Sequence, residues 1–256
     1  MTRVIKIGGR PQADPTLGPA LANDWASARL NGGLVLVHGG GDEVSTLQAA
    51  LGGSTKFVNG RRVTTEKDID LVRMGLSGSA NKRLVSSLVQ SGIDAVGISG
   101  EDAALIGASP MDAEQLGYVG TPTTVNVAFL RHLLSGGYLP VISPVSRDHT
   151  GTLGAALNVN GDDAAAAIAV ALGAKELLLV ADVEGVLCDG KVITNLTPDA
   201  ARQLMADGTA AGGMQAKLQA GLSAIAGGVT CVRISDIAAI TDPARGTKLQ
   251  AIGDIS

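Results

Sequence analysis

Short runs of aliphatic, β-prone residues alternate with helical stretches along this chain, and that alternation limits its possible folds more than any other feature. Six runs predict strands, at residues 4–7, 34–37, 95–98, 139–142, 177–180 and 230–234. The segments between them predict helices at residues 14–31, 66–91, 162–172, 198–207 and 213–226. This order predicts an α/β fold, here a three-layer αβα sandwich with a mostly parallel central sheet.

Two stretches interrupt the alternation. Residues 57–65 and 99–124 carry turn signals and short β patterns without a helical period, so they predict hairpins or loops that project from the sheet. Gly173 follows a predicted helix and precedes a predicted strand, which makes it the best candidate for a boundary. It would divide the chain into two lobes, residues 1–172 and residues 173–256.

Composition argues against several classes of protein. Aromatic residues make up only 2% of the chain, so the core must be built from Val, Leu, Ile and Ala. The 20 Lys and Arg against 24 Asp and Glu give a net charge of −4 with no basic run, which argues against nucleic-acid binding. The longest apolar run, residues 164–174, is too short to span a bilayer, and no signal-peptide pattern precedes the first strand. The 2 cysteines and 3 histidines have neither disulfide nor zinc-site spacing, so we expect a cytoplasmic enzyme without a structural metal.

Two glycine clusters follow the first two predicted strands. The sequences are KIGG at residues 6–9 and HGGG at residues 38–41, and the second opens a predicted helix. Glycines after a strand let backbone N–H groups approach an anion, and a helix N-terminus adds a favourable dipole, so the pattern predicts a phosphate cradle. Neither a P-loop nor a dinucleotide fingerprint is present. The alternative is a pair of tight turns, but two clusters on successive strands favour function.

Several charged residues stand near these clusters. Lys6 lies inside an apolar strand, which is costly unless it pairs with an anion or faces solvent on an edge strand. Asp162 and Asp163 open a predicted helix, where acids also serve as ordinary caps. Arg61 and Arg62 lie in a predicted loop and could clamp a carboxylate, although a solvated turn is the favoured interpretation for Arg61. Lys217 has no distinguishing local signal.

Nine motifs in order resemble those of the amino acid kinase family, and they cover nearly the whole chain. They are KIGG 6–9, HGGG 38–41, NGRRVT 59–64, GSANK 78–82, GYVG 117–120, GYLPV 137–141, NVNGD 158–162, DVEGV 182–186, and GM with a lysine at 213–217. Within the family they are most similar to the kinases that act on N-acetyl-L-glutamate. The resemblance implies transfer of the ATP γ-phosphoryl group to the side-chain carboxylate of N-acetyl-L-glutamate, with Mg²⁺, in arginine biosynthesis. It also implies that residues 1–172 form an amino-acid-binding and dimerisation lobe and residues 173–256 a nucleotide-binding lobe.

The resemblance also implies residue roles. Lys6 resembles the lysine that neutralises the transferring phosphoryl group, Lys217 the lysine on the leaving-group side, and Asp162 the aspartate that orients both. The substrate-binding positions are Gly40, Gly41, Arg62, Asn158 and Asn160. The nucleotide-binding positions are Gly8, Gly9, Asp182, Val183, Gly185, Val186, Gly212, Gly213 and Met214. Mg²⁺ is expected to be held by phosphates and water, with no metal-ligating residue of the chain.

The assembly and two rival functions stay open at this point. Arginine-inhibited family members carry an extra helix before the first strand, which here begins about four residues in, so we expect an uninhibited homodimer. One rival is a sibling kinase that acts on carrier-protein-linked aminoadipate or glutamate. Another is a nonenzymatic amino-acid-sensing module on the same scaffold, although a sensor needs no pair of phosphoryl-transfer lysines. The missing dinucleotide fingerprint disfavours a nicotinamide oxidoreductase.

Overall fold

The computed structural model describes residues 2–58, 60–153 and 156–251, and alternates strands with helices as expected. The strands are β1 Arg3–Ile7, β2 Leu34–His38, β3 Phe57–Val58, β4 Arg61–Arg62, β5 Ala95–Gly100, β6 Ile106–Pro110, β7 Val119–Val125, β8 Leu139–Asp148, β9 Ala156–Val159, β10 Glu176–Val180, β11 Leu187–Cys188, β12 Lys191–Val192, β13 Asn195–Leu196, β14 Cys231–Ser235 and β15 Thr247–Leu249. The α-helices are α1 Leu17–Asn31, α2 Gly41–Ala50, α3 Glu66–Val72, α4 Asn81–Gln90, α5 Ala113–Leu116, α6 Val127–Ser135, α7 Gly161–Leu172, α8 Pro198–Ala206 and α9 Gly212–Ala226.

One large sheet runs through the described part of the chain. Eleven strands join it in the order β13-β15-β14-β10-β1-β2-β8-β6-β7-β9, with β5 paired to β8. Its centre is parallel, because β14, β10, β1, β2, β8 and β5 all pair in the same direction. The predicted α/β class and mostly parallel sheet are therefore confirmed.

Side chains alternate between the two faces of the sheet and create two cores. On β1, Val4 joins one apolar cluster with α7 and α9, whereas Ile5 and Ile7 join the other with α1 and α4. All three are fully buried, as expected for strands covered on both faces. Helices therefore cover both faces, and the predicted three-layer αβα arrangement is confirmed.

Two predicted segments differ from the structure. The predicted helix at residues 66–91 is divided by a π-helical segment, Arg73–Ala80, into α3 and α4. The hairpin predicted within residues 57–65 is confirmed, because β3 and β4 pair antiparallel. The prediction that residues 99–124 project from the sheet is wrong, because β6 and β7 are members of it. They find a partner because β8 continues to Asp148, six residues beyond the predicted end, through a stretch whose serines and proline do not indicate a strand.

The proposed boundary at Gly173 falls within a continuous sheet. Gly173 ends α7, and the next strand, β10, pairs directly with β1 from the other end of the chain. The division into residues 1–172 and 173–256 stays a prediction. Within the described ranges, no helix is both long and apolar enough to cross a membrane.

Candidate active site

The site lies at the carboxyl ends of the central parallel strands, where α/β sheets bind ligands. Lys6 points to the α7 face, because it lies two residues after Val4 on the same side of β1. Asp162 lies in the first turn of α7. The Lys6 Nζ and Asp162 Oδ1 atoms are 2.8 Å apart. The cost of placing a lysine in an apolar strand is thus offset by a partner on the helix that covers it.

A second lysine reaches the same carboxylate from α9. Lys217 Nζ donates to Asp162 Oδ1 at 3.2 Å and to Oδ2 at 3.1 Å. Side-chain exposure is 9% for Lys6, 5% for Asp162 and 12% for Lys217. The structure therefore brings together the three residues to which the family resemblance assigns catalysis.

The charges of this triad hold one another in place. Burial alone would raise the pKa of Asp162, but the charges of Lys6 and Lys217 and their hydrogen bonds outweigh it and lower the pKa. Burial and the neighbouring charge of Lys6 lower the pKa of Lys217, and Asp162 opposes that shift. With both lysines protonated and the acid ionised, the triad carries a net charge of +1. That charge suits a polyanion placed beside it.

The two glycine loops meet next to Lys6. A β-carbon built on Gly9 would lie 3.6 Å from Gly40 Cα, so the loops touch backbone to backbone. The N–H groups of Gly8 and Gly39 donate to Val180 and Ile7 carbonyls. Within the described residues, no acceptor bonds the N–H groups of Gly9, Gly40 and Gly41. Those donors, from the loop after β1 and from the start of α2, are available to an anionic ligand.

A buried histidine, His38, anchors the second glycine loop through hydrogen bonds. His38 is fully buried, its Nδ1 lies 2.7 Å from the Gly39 carbonyl oxygen, and its Nε2 lies 3.0 Å from the amide nitrogen of Asn81. This network assigns the neutral ring with the proton on Nδ1. Burial, together with the charges of Lys6 and Lys82, lowers the pKa of His38 from 6.5 to about 4. Histidine therefore stays neutral here across the physiological range.

We expect this histidine to make the fold acid-sensitive. Between pH 6.5 and about 4 the unfolded chain binds a proton at His38 that the folded chain does not. The free energy of unfolding should therefore fall as the pH drops through that window, by about 3 kcal/mol at its lower end. Urea unfolding at pH 7, 5.5 and 4.5 measures this, and His38→Gln should lose that part of the slope. The exposed His132→Gln serves as control; equal pH slopes in wild type and His38→Gln would contradict the assignment.

A small cavity opens between the glycine loops and the β3–β4 hairpin. Its volume is about 230 Å³. One part of its lining is polar and includes Lys6, Arg62, Asn158, Asn160 and Asp162. The other part is apolar and consists of Val44, Phe57, Val72, Leu76, Val119, Pro144 and Val159. The cavity therefore suits a small molecule with both charged and aliphatic parts.

The predicted substrate-binding side chains line this cavity but also have internal partners. Arg62 is buried, and its Nη2 donates to the Gly41 carbonyl at 2.6 Å and to Ser45 Oγ at 2.7 Å. Burial lowers the pKa of Arg62, which nevertheless titrates far above neutral pH. Asn158 donates from its amide to Thr64 Oγ1 at 2.9 Å, and no described residue donates a hydrogen bond to its amide oxygen. Asn160 caps α7, because its Oδ1 accepts from the Asp162 N–H at 2.8 Å.

A second cavity of about 260 Å³ lies on the other side of Lys6. Its lining includes Gly8, Gly9, Asp182 and Lys217, and it shares Lys6, Gly9 and Gly41 with the first cavity. Arg10 pairs with Asp182 across it. The triad thus stands at the junction of two cavities, which is the arrangement that group transfer between two bound molecules requires.

The remaining predicted nucleotide-binding residues are more dispersed. Gly212 and Gly213 are exposed at the start of α9, and Met214 packs partly on the core. Val183 is partly exposed in the loop after β10. Gly185 and Val186 are buried: a β-carbon on Gly185 would lie 2.7 Å from Val192, and the Val186 N–H donates to Thr247 Oγ1 at 2.8 Å. These two residues pack inside the loop and do not line the second cavity.

Sequence reasoning missed two features of the site. Arg61 was expected in a solvated turn, but its Nη1 lies 2.8 Å from Asp163 Oδ2 and its side chain is only 23% exposed. The apolar wall was also missed, because Leu76 reaches the cavity from the π-helical segment, within a stretch that indicates only an ordinary helix. Asn59, the first residue of the NGRRVT motif, lies outside the described residues.

The described residues contain no cluster of three or more His, Cys, Asp or Glu side chains that could hold a metal ion. Of the acids that line the two cavities, Asp162 pairs with two lysines and Asp182 with Arg10, whereas Asp42 has no ion pair among the described residues. The carboxylates of Asp162 and Asp182, as placed, do not fit a resident divalent cation.

Comparison with known proteins agrees with this geometry. A family model described as the amino acid kinase family matches residues 1–236. The chain is 43% identical over 225 residues to an acetylglutamate kinase of Geobacillus kaustophilus, covering 88% of this chain and 85% of that one. It is 41% identical over 256 residues to an acetylglutamate kinase of Roseiflexus castenholzii, covering 99% and 96%. A crystal structure from Streptococcus mutans superposes with a TM-score of 0.87 at 28% identity over 98% of both chains. With this sheet, these glycine loops and these matches, the chain belongs to the amino acid kinase family.

Proposed function

We propose that the chain catalyses the acetylglutamate kinase reaction. The γ-phosphoryl group of ATP passes to the side-chain carboxylate of N-acetyl-L-glutamate, giving N-acetyl-L-glutamyl 5-phosphate for arginine biosynthesis. The observation that carries the proposal is the triad of Lys6, Asp162 and Lys217 at the junction of the two cavities. The relatives named acetylglutamate kinase, at 41% and 43% identity over most of the chain, support the acceptor.

The acceptor needs no general base. A side-chain carboxylate with a pKa of about 4 is already ionised at neutral pH. One of its oxygens attacks the γ-phosphorus, the bond from that phosphorus to the bridging oxygen breaks, and ADP leaves with the electron pair. No proton moves in this step. The difficulty is the approach of one anion to another, so catalysis consists of positioning and of cationic stabilisation.

Different residues of the site provide the positioning and the cationic stabilisation. Lys6 borders both cavities and faces the transferring phosphoryl group. Lys217 borders only the second cavity and stabilises the charge that develops on the leaving phosphate. Asp162 orients both ammonium groups, and its charge opposes the burial that lowers the pKa of Lys217. The free N–H groups of Gly9, Gly40 and Gly41 complete the set of donors.

We assign the first cavity to N-acetyl-L-glutamate. Its volume of about 230 Å³ suits a free acyl amino acid. Arg62 and Asn158 bind the α-carboxylate, with Asn160 beside them, and the apolar wall takes the methylene and acetyl carbons. The acceptor's second carboxylate then points to Lys6. This division of charge and apolar surface favours N-acetylglutamate over an aminoadipate carried on a protein.

We assign the second cavity to the phosphates of ATP. Gly8 and Gly9 border them, and the loop at Asp182 and Val183 together with Gly212 to Met214 borders the rest of the nucleotide. Residues 1–172 thus supply the amino-acid side and part of the phosphate site, and residues 173–256 supply the rest of the nucleotide side. Mg²⁺ enters as part of the MgATP substrate, since Asp162 and Asp182 are already paired and the described residues hold no cluster of three possible metal ligands.

A coupled assay tests the proposed function. MgATP, N-acetyl-L-glutamate and the protein should release ADP and give a hydroxamate when hydroxylamine traps the acyl phosphate. Free glutamate and carrier-protein-linked aminoadipate form the comparison panel. Turnover on the carrier-linked acceptor alone would indicate the sibling kinase. Acceptor binding without any acceptor-dependent ADP release would indicate the sensing module instead.

We also propose that the protein is a cytoplasmic homodimer. Met74 and Val89 are large apolar side chains that are more than half exposed, on the π-helical segment and on α4. In the described part of the sheet, β5 pairs with β8 and leaves its other edge open beside α4. An apolar helix face beside an open edge is a surface that a second copy can cover. Sedimentation equilibrium should give a mass near twice 25.7 kDa, and Val89→Glu should shift it toward the monomer.

A further inference from the structure

An ion pair joins the β3–β4 hairpin to the helix that carries Asp162. Arg61 lies on β4, and Asp163 lies in the first turn of α7. Their side chains are 23% and 18% exposed, and the Nη1 to Oδ2 distance is 2.8 Å. Burial raises the pKa of Asp163, and the charge of Arg61 opposes that shift. The pair is therefore more sheltered than an ordinary surface salt bridge.

Each partner is adjacent in sequence to a residue of the proposed site. Arg61 precedes Arg62, and because successive residues of a strand face opposite sides, Arg62 turns to α2 while Arg61 turns to α7. Asp163 follows Asp162 in the same helical turn. The hairpin is thus held at two points, one on each side of the cavity.

Arg61 also forms part of the cavity wall. Phe57, Gly60, Arg61 and Arg62 of the hairpin line the first cavity. Arg61 also borders a separate groove of about 480 Å³ between β7, α7 and α9, and Asp163 lies there beside it. Arg61 therefore stands between the amino-acid cavity and that groove, with Asp163 on the groove side. Near the tip, a β-carbon on Gly60 would lie 3.9 Å from the Gly212 carbonyl oxygen, at the start of the helix that carries Lys217.

We infer that the Arg61–Asp163 ion pair is a positioning device for acceptor binding: it holds the hairpin against α7 so that Arg62 and the apolar wall enclose N-acetyl-L-glutamate. This inference rests on the proposed function and deepens it. Neither residue touches the reacting atoms, because the triad consists of Lys6, Asp162 and Lys217. Loss of the pair should therefore weaken acceptor binding far more than it slows the chemical step.

A double-mutant cycle tests the inference. Arg61→Met leaves Asp163 unpaired, Asp163→Asn leaves Arg61 unpaired, and the double variant leaves neither charge. We expect each of the three to raise the KM for N-acetyl-L-glutamate by about tenfold. In each, kcat and the KM for ATP should stay within about threefold of wild type, and Arg61→Lys should recover part of the loss. Arg202→Met removes an exposed arginine–aspartate pair on α8 and is the matched control.

The outcomes separate this inference from the proposed function. A wild-type protein that does not phosphorylate N-acetyl-L-glutamate refutes the proposed function itself. An active wild type with an unchanged acceptor KM in all three variants refutes the positioning role. A double variant that returns to the wild-type KM also refutes it, because the single-variant effects would then come from an unpaired buried charge. Direct titration of N-acetyl-L-glutamate by calorimetry should show the same tenfold loss of affinity without ATP.

Discussion

Lys6→Met and Asp162→Asn should each lower kcat for N-acetyl-L-glutamate phosphorylation by about 10²- to 10³-fold, the usual cost of one well-placed stabilising group. Methionine keeps the aliphatic stem of Lys6 in its packed position but removes the ammonium group that borders both cavities. Asparagine keeps the shape of Asp162 but leaves Lys6 and Lys217 close together without a shared anion. We expect one of the two ammonium groups then to move away from the other.

Hydroxamate formation under saturating substrates measures this loss, and circular dichroism with thermal unfolding checks the fold. Asp199→Asn is the matched control for the acid, because Asp199 also lies in the first turn of a helix but is exposed. Lys191→Met, on an exposed hairpin, is the control for the lysine. Wild-type kcat in either Lys6→Met or Asp162→Asn would refute the assigned roles.

Gly40→Ala should lower kcat/KM by about 10²-fold, the effect expected when one oriented backbone donor is displaced. Gly40 has φ = +139°, which L residues rarely adopt. An added β-carbon would also lie 3.0 Å from Leu76 Cδ2. The loop must therefore shift, and the free N–H groups of Gly40 and Gly41 should move with it.

The opposite end of the same helix supplies the control. Gly52 has φ = +79° and open space around the position of a β-carbon. Gly52→Ala and Gly40→Ala should both lower the free energy of unfolding by about 1–3 kcal/mol through backbone strain. Only Gly40→Ala should lose activity. If both variants kept kcat/KM within about threefold of wild type, the role of the glycine loop as an anion cradle would be wrong.

Local sequence patterns predicted the strands and helices of the α/β fold, because these elements depend mainly on residues that are close together in the sequence. Buried parallel strands read as apolar runs, and the helices between them end at glycines, so the alternation alone indicated the α/β class. The same patterns failed where partners are distant. The second half of β8 has a polar sequence and becomes a strand because β6 and β9 pair with it. The π-helical segment has no period that distinguishes it from an ordinary helix.

The residues of the candidate site also divide into those that local sequence patterns indicate and those that they do not. Lys6 was conspicuous as a charge within an apolar strand, and the glycine clusters were visible directly. Lys217 was identifiable only by family resemblance, because its partner lies 55 residues away on another helix. Arg61 was misjudged as solvated, although the period-two rule already required Arg61 and Arg62 to face opposite sides of a strand. Only the packing of α7 shows that one of those sides holds Asp163.

A crystal structure with N-acetyl-L-glutamate and a non-hydrolysable ATP analogue tests the central claim most directly. The account predicts that the γ-phosphate lies between the two cavities, within hydrogen-bonding distance of Lys6 Nζ, with Lys217 on the ADP side. The acceptor carboxylate should lie in line with the bond that breaks. A nucleotide bound away from Lys6 and both glycine loops, or an acetylglutamate outside the first cavity, would contradict it.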